Sequence, residues 1–278
     1  MPDFSFPRTV LELGPGDSIG TGLAALLSGA DIYIGLDAFR HVDNERNLAV
    51  FDTLIELFRN REDIPGDEEF PRIRPKLDSY AFPRHLLSDA MIDSRLQAPS
   101  LEKIRHGILN PNQSGGAVHY MAPWKGRMPP QAVNVDMVFS QAVLQLVNNL
   151  PRTYQAIYAC MSGNGIMSHQ IDLGWYLSAG EWNQHLAYSA AKWMSLRAQS
   201  AYTINPARHS DHIRAMEDCG FRVLTDEKYT KPSNLRPDQL SHRFQQISQD
   251  DLTCCGFFVQ AGKSATIPAT RSDQKPKL

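Results

Sequence analysis

Two glycines and two carboxylates near the amino terminus have the spacing of a ligand-binding turn. Gly14 and Gly16 follow an apolar run over 9–13, Glu12 precedes them, and Asp37 lies 21 positions after Gly16. Glycines between a strand and a helix allow a tight turn and let a ligand approach the backbone, because no Cβ stands in the way. A carboxylate at the end of the second strand can bind the two hydroxyls of a ribose. The pattern therefore predicts a site for a ribose-containing ligand.

The glycine spacing separates two classes of such turns. A dinucleotide-binding turn has a third glycine where this chain has Ile19, and here the glycine comes one residue later, at Gly20. The string 12–16 instead resembles the first motif of the class I, Rossmann-like S-adenosylmethionine-dependent methyltransferases. The resemblance implies S-adenosylmethionine as the cofactor, with a carboxylate near its ammonium group, a glycine turn and a ribose-binding carboxylate. The residues implied are, in that order, Glu12, then Gly14, Pro15 and Gly16, then Asp37.

Two further segments extend the resemblance. Ser140, Gln141 and Ala142 follow a predicted strand, and we expect them at the carboxyl edge of the sheet, where open α/β sheets bind ligands. A Glu-His pair common in the family is replaced by Gln145 and Leu146, so no catalytic role is predicted there. The residues after the preceding strand border the adenine in the family, and an aromatic side chain there could stack on the ring or simply pack in the core. Those residues are Ala122, Pro123 and Trp124.

Three residues are candidates for a general base or its partner. His169 and Asp172 end a predicted strand, and His185 lies in the aromatic-rich stretch that follows. An imidazole is a suitable base near neutral pH, and a carboxylate can fix its tautomer. The alternatives are a histidine that only holds the sheet edge and an aromatic stretch that only packs in the core. The strings 139–144 and 167–172 also resemble bacterial methyltransferases of surface-polysaccharide and glycan biosynthesis.

A mostly parallel α/β sheet would bring these residues together. Alternating strand, helix and strand patterns over 9–36 form a βαβ unit. Further strands are predicted over 117–121, 133–139, 166–171, 221–224 and 254–259, and helices over 48–58, 101–108, 142–148, 152–161 and 210–219, the last with Ser210 as its N-cap. The resemblance implies one class I domain over 1–263, with seven strands, the last inserted antiparallel, and helices on both faces. Insertions over about 40–116 and 174–204 would build the acceptor pocket, and 264–278 would form a flexible tail.

Composition argues against several functions. Lys and Arg number 28 against 30 Asp and Glu, a net charge of −2 with no basic stripe, so nucleic acid is not an expected partner. No apolar run approaches the roughly 18–20 residues that a membrane span needs. The four cysteines form no CxxC pair and the amino terminus has no secretory pattern, which predicts a reduced, cytoplasmic protein without a metal.

The predicted function is transfer of a methyl group from S-adenosylmethionine to a hydroxyl, on a sugar, a glycan or another small acceptor. Two alternatives stay open. One is a natural-product O- or N-methyltransferase with an aromatic acceptor, and the other is a Rossmann-like subunit that binds the cofactor without catalysis. The acceptor, the methylated position and the oligomeric state are not determined by the sequence.

Overall fold

Seven strands form one sheet in the computed structural model, which describes residues 6–71, 74–175, 181–200 and 202–263. The sheet order is β3-β2-β1-β4-β5-β7-β6. Strand β7 runs antiparallel to β5 and β6, and the other neighbouring pairs are parallel. The strands are β1 (Thr9–Leu13), β2 (Ile32–Leu36), β3 (Val118–Met121), β4 (Val135–Gln141), β5 (Met161–Asp172), β6 (Phe221–Thr230) and β7 (Cys254–Lys263). The predicted fold class, including the antiparallel last strand, is confirmed. The tail predicted over 264–278 lies outside the described residues.

Helices cover both faces of this sheet. One buried cluster joins the first face of β1 and β2 to α1, α2 and α4, and a second joins the other face to α5 and α7. The helices are α1 (Gly20–Leu27), α2 (Asn44–Asn60), α3 (Asp89–Arg95), α4 (Ala98–Leu109), α5 (Leu150–Cys160), α6 (Ala190–Gln199), α7 (His209–Asp218) and α8 (Gln249–Thr253). Within the described ranges, every helix is too short or too polar to cross a lipid bilayer.

Two local predictions are wrong. No helix forms over 142–148, because Ala142 has a φ of 54°, which is incompatible with a helical turn, and its N–H extends the pairing of β4 with β5 by donating to the carbonyl of Gln170. The N-cap of α7 is Arg208 rather than Ser210, whose hydroxyl instead donates to the Asp251 carboxylate. In both places a long-range hydrogen bond overrides the local pattern.

Much of the segment predicted as an insertion over 40–116 belongs to the helical layer of the sheet. Phe51 and Ile55 of α2 and Ile104 and Ile108 of α4 are buried in the same cluster as α1. Their spacing of four residues places them on one face of each helix. Helices α2 and α4 therefore cover one face of the sheet.

Two glycines make room for a buried tyrosine between α1 and the sheet. Tyr33 is fully buried on β2. A Cβ on Gly22 of α1 would lie 2.1 Å from the Tyr33 ring, and one on Gly35 would lie 2.7 Å from its hydroxyl oxygen. Both distances are shorter than a van der Waals contact, so these two positions require glycine for packing.

We expect Gly22→Ala to destabilise the protein by about 1–3 kcal/mol, because the added methyl overlaps the Tyr33 ring in a packed core. Without that overlap, alanine inside a helix would stabilise by roughly 0.5–1 kcal/mol, so the sign of the change is diagnostic. Urea unfolding measures it. Gly163→Ala is the matched control, since a Cβ there meets nothing within 4 Å. A Gly22→Ala protein more stable than wild type would contradict the packing.

Candidate active site

A cleft of about 910 Å³ opens at the carboxyl edge of β1, β2 and β4. Its walls come from the glycine turn after β1, the segment after β2, the loop after β3, the segment from β4 into α5, and the end of α6 with the residues that follow it. The lining includes the predicted residues Gly14, Gly16, Asp37, Trp124, Gln141 and Ala142. Six of the predicted cofactor residues thus meet in one cavity.

The two turn glycines have different tasks. Both have a left-handed backbone, with φ of 68° at Gly14 and 71° at Gly16. A Cβ on Gly14 would lie 2.5 Å from Val143, so this glycine allows the segment after β4 to pack against the turn. A Cβ on Gly16 would meet nothing within 4 Å. Gly16 therefore leaves its backbone open to the cleft.

Asp37 joins the ends of three strands. Its carboxylate accepts a hydrogen bond from the Gly16 N–H at 3.0 Å. Its own N–H donates to the carbonyl of Met121, and its carbonyl accepts from the Trp124 N–H at 2.6 Å. The side chain is only 7% exposed and lines the cleft. The fold thus holds one carboxylate in the wall beside the open backbone of Gly16.

Glu12 lies behind the turn rather than in the cleft lining. The Tyr33 hydroxyl donates to its carboxylate at 2.7 Å. Burial raises the pKa of Glu12 to about 7, the hydrogen bond from Tyr33 lowers it, and the charge of Asp37 adds to the rise. A carboxylate with this pKa is partly protonated at neutral pH. A cation bound nearby would favour its ionised form.

The other predicted cofactor residues divide into two groups. Trp124 is half-buried, and its indole N–H donates to the carbonyl of Arg127 at 3.0 Å, which fixes the ring at the cleft wall. Gln141 and Ala142 also line the cleft. Ala122, Pro123, Ser140 and Pro15 are outside its lining and support the segments that form it.

The three predicted catalytic residues lie away from the cleft. His169 is fully buried, its Nδ1 is hydrogen-bonded to Ser140 Oγ at 2.8 Å, and burial lowers its pKa to about 3. Asp172 accepts a hydrogen bond from the Gly174 N–H at 2.8 Å. His185 is buried against Trp193, with ring centroids 5.3 Å apart, and burial lowers its pKa to about 3. This placement does not favour any of them as the base, and their roles stay predictions.

The described part of the aromatic stretch packs on itself. Trp175 and Trp193 are buried, with ring centroids 4.9 Å apart in an edge-to-face contact, and Tyr188 lies 5.7 Å from Trp175. These rings are not free to stack on an acceptor. Of the two interpretations open at the sequence level, the aromatic core is the one that this arrangement favours.

Several cleft residues were not identified from the sequence. Arg152, Arg197, His41 and Thr203 all line the cavity. Asn149 is the N-cap of α5, and its side chain accepts from the Arg152 N–H, so a capping residue followed by Pro151 was a usable signal for the helix start. Nothing in the local sequence marks Arg197, which reaches the cleft only through the packing of α6. Among the described residues, no group of three His, Cys, Asp or Glu side chains is placed to hold a metal ion.

No family model matches the chain, and a search of the curated proteins finds no match. Solved structures with a related fold include S-adenosylmethionine-dependent methyltransferases. One from Mesorhizobium loti is 14% identical, with 94% of this chain and 93% of that chain covered and a TM-score of 0.43. A Listeria monocytogenes protein assigned to the same activity is 12% identical, with 95% and 94% covered and a TM-score of 0.45. A geranyl diphosphate C-methyltransferase from Streptomyces coelicolor A3(2) is 11% identical, with 95% and 74% covered and a TM-score of 0.44. Similarity at this level of sequence identity and TM-score does not indicate a shared activity.

We expect the buried histidines to make the protein acid-sensitive. Burial lowers the pKa of His169, His185 and His212 to about 3 in the folded protein, below the ordinary value of 6.5. The unfolded chain therefore binds protons first, and stability that is fully present above about pH 6.5 is lost as the pH falls toward 3. Each histidine should contribute about 1.4 kcal/mol per pH unit within that window.

Urea unfolding at several pH values between about 4 and 7 measures this slope. His169→Asn should reduce it by the share of one histidine, whatever its effect on stability at pH 7. His85→Asn, at an exposed position, is the control and should leave the slope unchanged. An unchanged slope in His169→Asn would mean that His169 can take up a proton in the folded protein, as a base open to the cleft would.

Proposed function

We propose that this chain is a methyltransferase that moves the methyl group of S-adenosylmethionine to a hydroxyl of a small polar acceptor, such as a sugar. The observation that supports this best is that Gly16 and Asp37 lie together in one wall of the cleft. The Gly16 N–H donates to a carboxylate oxygen of Asp37 at 3.0 Å, and the space beside the Gly16 backbone is open. That pairing offers a close backbone approach and two acceptor oxygens for a ribose.

The residues present fit the cofactor. Asp37 would hold the ribose hydroxyls, Trp124 would border the adenine, and Glu12 would offset the ammonium charge from behind the turn. The indole is held at the wall by its bond to Arg127, and the raised pKa of Glu12 means that a bound cation would restore its charge. When bound, S-adenosylmethionine supplies an electrophilic methyl group, whose carbon–sulfur bond breaks as the acceptor oxygen bonds to carbon and the hydroxyl proton passes to a base or to water.

Positioning by the cleft is the larger contribution of the protein to this reaction. Holding two reactants in line can supply roughly 7–11 kcal/mol of barrier reduction, whereas a general base adds about 10²–10⁴-fold in rate. The buried state of His169 is therefore compatible with catalysis by alignment. Within the described cleft lining, His41 is the one imidazole, and it lies on the Asp37 side.

A polar acceptor suits the half of the cleft beyond β4. Asn148, Asn149 and Thr203 line it together with Ser200, and their amides and hydroxyls can pair with acceptor hydroxyls. The buried pair Trp175 and Trp193 gives no support to the alternative of an aromatic acceptor, but two exposed aromatic residues of the cleft lining, Phe39 and Tyr202, keep that alternative open. A turnover assay distinguishes an enzyme from the alternative, a non-catalytic subunit. Purified protein with S-adenosylmethionine labelled in the methyl group, incubated with a panel of sugars, should yield labelled product, and cofactor binding without any transfer would support the subunit.

We expect Asp37→Asn to weaken the binding of S-adenosylhomocysteine about ten-fold or more. The amide can still accept from the Gly16 N–H, so the variant removes mainly the charge, and charge-assisted hydrogen bonds contribute about 1.5–3 kcal/mol. Isothermal titration calorimetry measures the affinity. Asp17→Asn is the matched control, because Asp17 is on the same turn with a side chain 78% exposed. Equal affinities for Asp37→Asn and wild type would exclude the proposed ribose contact.

A further inference from the structure

One end of the cleft, the basic end, is lined by two arginines, whereas the other is lined by one carboxylate and one lysine. Asp37 lies at the end of β2, whereas Arg152 on α5 and Arg197 on α6 lie beyond β4. Strand β1 separates β2 from β4, and neighbouring strands are about 4.8 Å apart, so the two strand ends are roughly 10 Å apart. A ligand that fills the cleft therefore meets Asp37, with Lys125 in the neighbouring loop after β3, at one end and two arginines at the other.

Two adjacent asparagines lie beside the arginines at the basic end. Asn148 accepts a hydrogen bond from Nη2 of Arg197, and Asn149 caps the helix that carries Arg152. The positive end of the α5 dipole adds to the potential at the same place, and the first turn of α5 contains no acidic residue to offset it. Both arginines line the same cavity, Arg197 as a half-buried residue and Arg152 as an exposed one.

Neither arginine has a carboxylate partner among the residues that the structure describes. Arg197 is half-buried, and its Nη1 is shielded from solvent without a hydrogen-bond partner. Burial lowers the pKa of this guanidinium, since no counter-charge offsets the lost hydration. A half-buried guanidinium without a carboxylate partner attracts an anionic oxygen, because its charge is uncompensated and its planar N–H groups match carboxylate and phosphate geometry.

We propose that the acceptor of this enzyme carries an anionic group, a carboxylate or a phosphate, that Arg152 and Arg197 bind at the far end of the cleft from Asp37. This inference rests on the proposed function, and it narrows the acceptor to a hydroxylated molecule with a negative charge. The anion fixes one end of the acceptor, and the cleft then limits where its hydroxyl can lie. Arg152 and Arg197 are specificity-determining residues in this arrangement.

The test compares acceptors that differ in charge. Glucose, glucuronate and glucose 6-phosphate share one ring, and glycerol, glycerate and glycerol 3-phosphate form a second set of smaller molecules. Each is titrated against the protein saturated with S-adenosylhomocysteine, and each is assayed for label from methyl-labelled S-adenosylmethionine. We expect the charged members of at least one set to bind about ten-fold or more tightly than the neutral member. Comparing carboxylate with phosphate members shows which anion the site prefers.

Arg197→Gln and Arg152→Gln should each reduce that preference about ten-fold, with the affinity for S-adenosylhomocysteine unchanged. Arg214→Gln, at an exposed position of α7 outside the cleft lining, is the control and should keep the preference. Thermal unfolding of each variant separates lost binding from lost folding. Retention of the charge preference in both cleft variants would overturn the assignment.

Two other results would also overturn it. Equal binding of charged and neutral members by a protein that binds S-adenosylhomocysteine would remove the anion site and leave the proposed methyltransferase function intact. A loss of affinity in Arg197→Gln for S-adenosylhomocysteine, but not for 5′-methylthioadenosine, would show that the arginine holds the carboxylate of the cofactor. Failure of wild type to bind S-adenosylhomocysteine at all would instead contradict the proposed function itself, and the inference with it.

Discussion

The hydrogen bond from the Gly16 N–H to the Asp37 carboxylate is the constraint on which the candidate site depends. It ties the turn after β1 to the end of β2, and the backbone of Asp37 extends the tie to Met121 and Trp124 after β3. A carboxylate that accepts from a backbone N–H in a buried wall is held in one position without the entropy cost of ordering it when a ligand binds. The open side of Gly16 therefore faces a preformed cavity.

The two faces of the sheet separate structural from binding chemistry. Side chains alternate along a strand, so His169 on β5 faces the layer of α5 and α7 together with Met167 and Ile171. Its imidazole bonds to Ser140, and burial in this core lowers its pKa. The cleft residues near Asp37 come instead from the turns and loops that follow β1, β2 and β3, whereas Arg152 and Arg197 come from α5 and α6.

The charged side chains are distributed unevenly along the cleft. The carboxylate of Asp37 belongs to the end where the glycine turn opens, and the guanidinium groups of Arg152 and Arg197 belong to the end reached through α5 and α6. Asp37 is buried and Arg197 is half-buried, so each of these charges has more effect on a ligand than the same charge in water would have, whereas Arg152 is exposed. In the proposed arrangement, the ribose of the cofactor would lie at the Asp37 end and the anionic group of the acceptor at the arginine end.

The sequence by itself determined the βαβ start and the placement of Gly14, Gly16 and Asp37, because these depend on local periodicity and on glycine geometry, whereas the antiparallel last strand was implied by the family resemblance. Tertiary structure alone decided which face of β5 is buried, and so removed His169 from the cleft. It also decided that Ala142 begins a turn, through its bond to Gln170, and that Arg197 reaches the site from a distant helix. Strand register and helix packing set these outcomes, and both come from contacts between residues far apart in the chain.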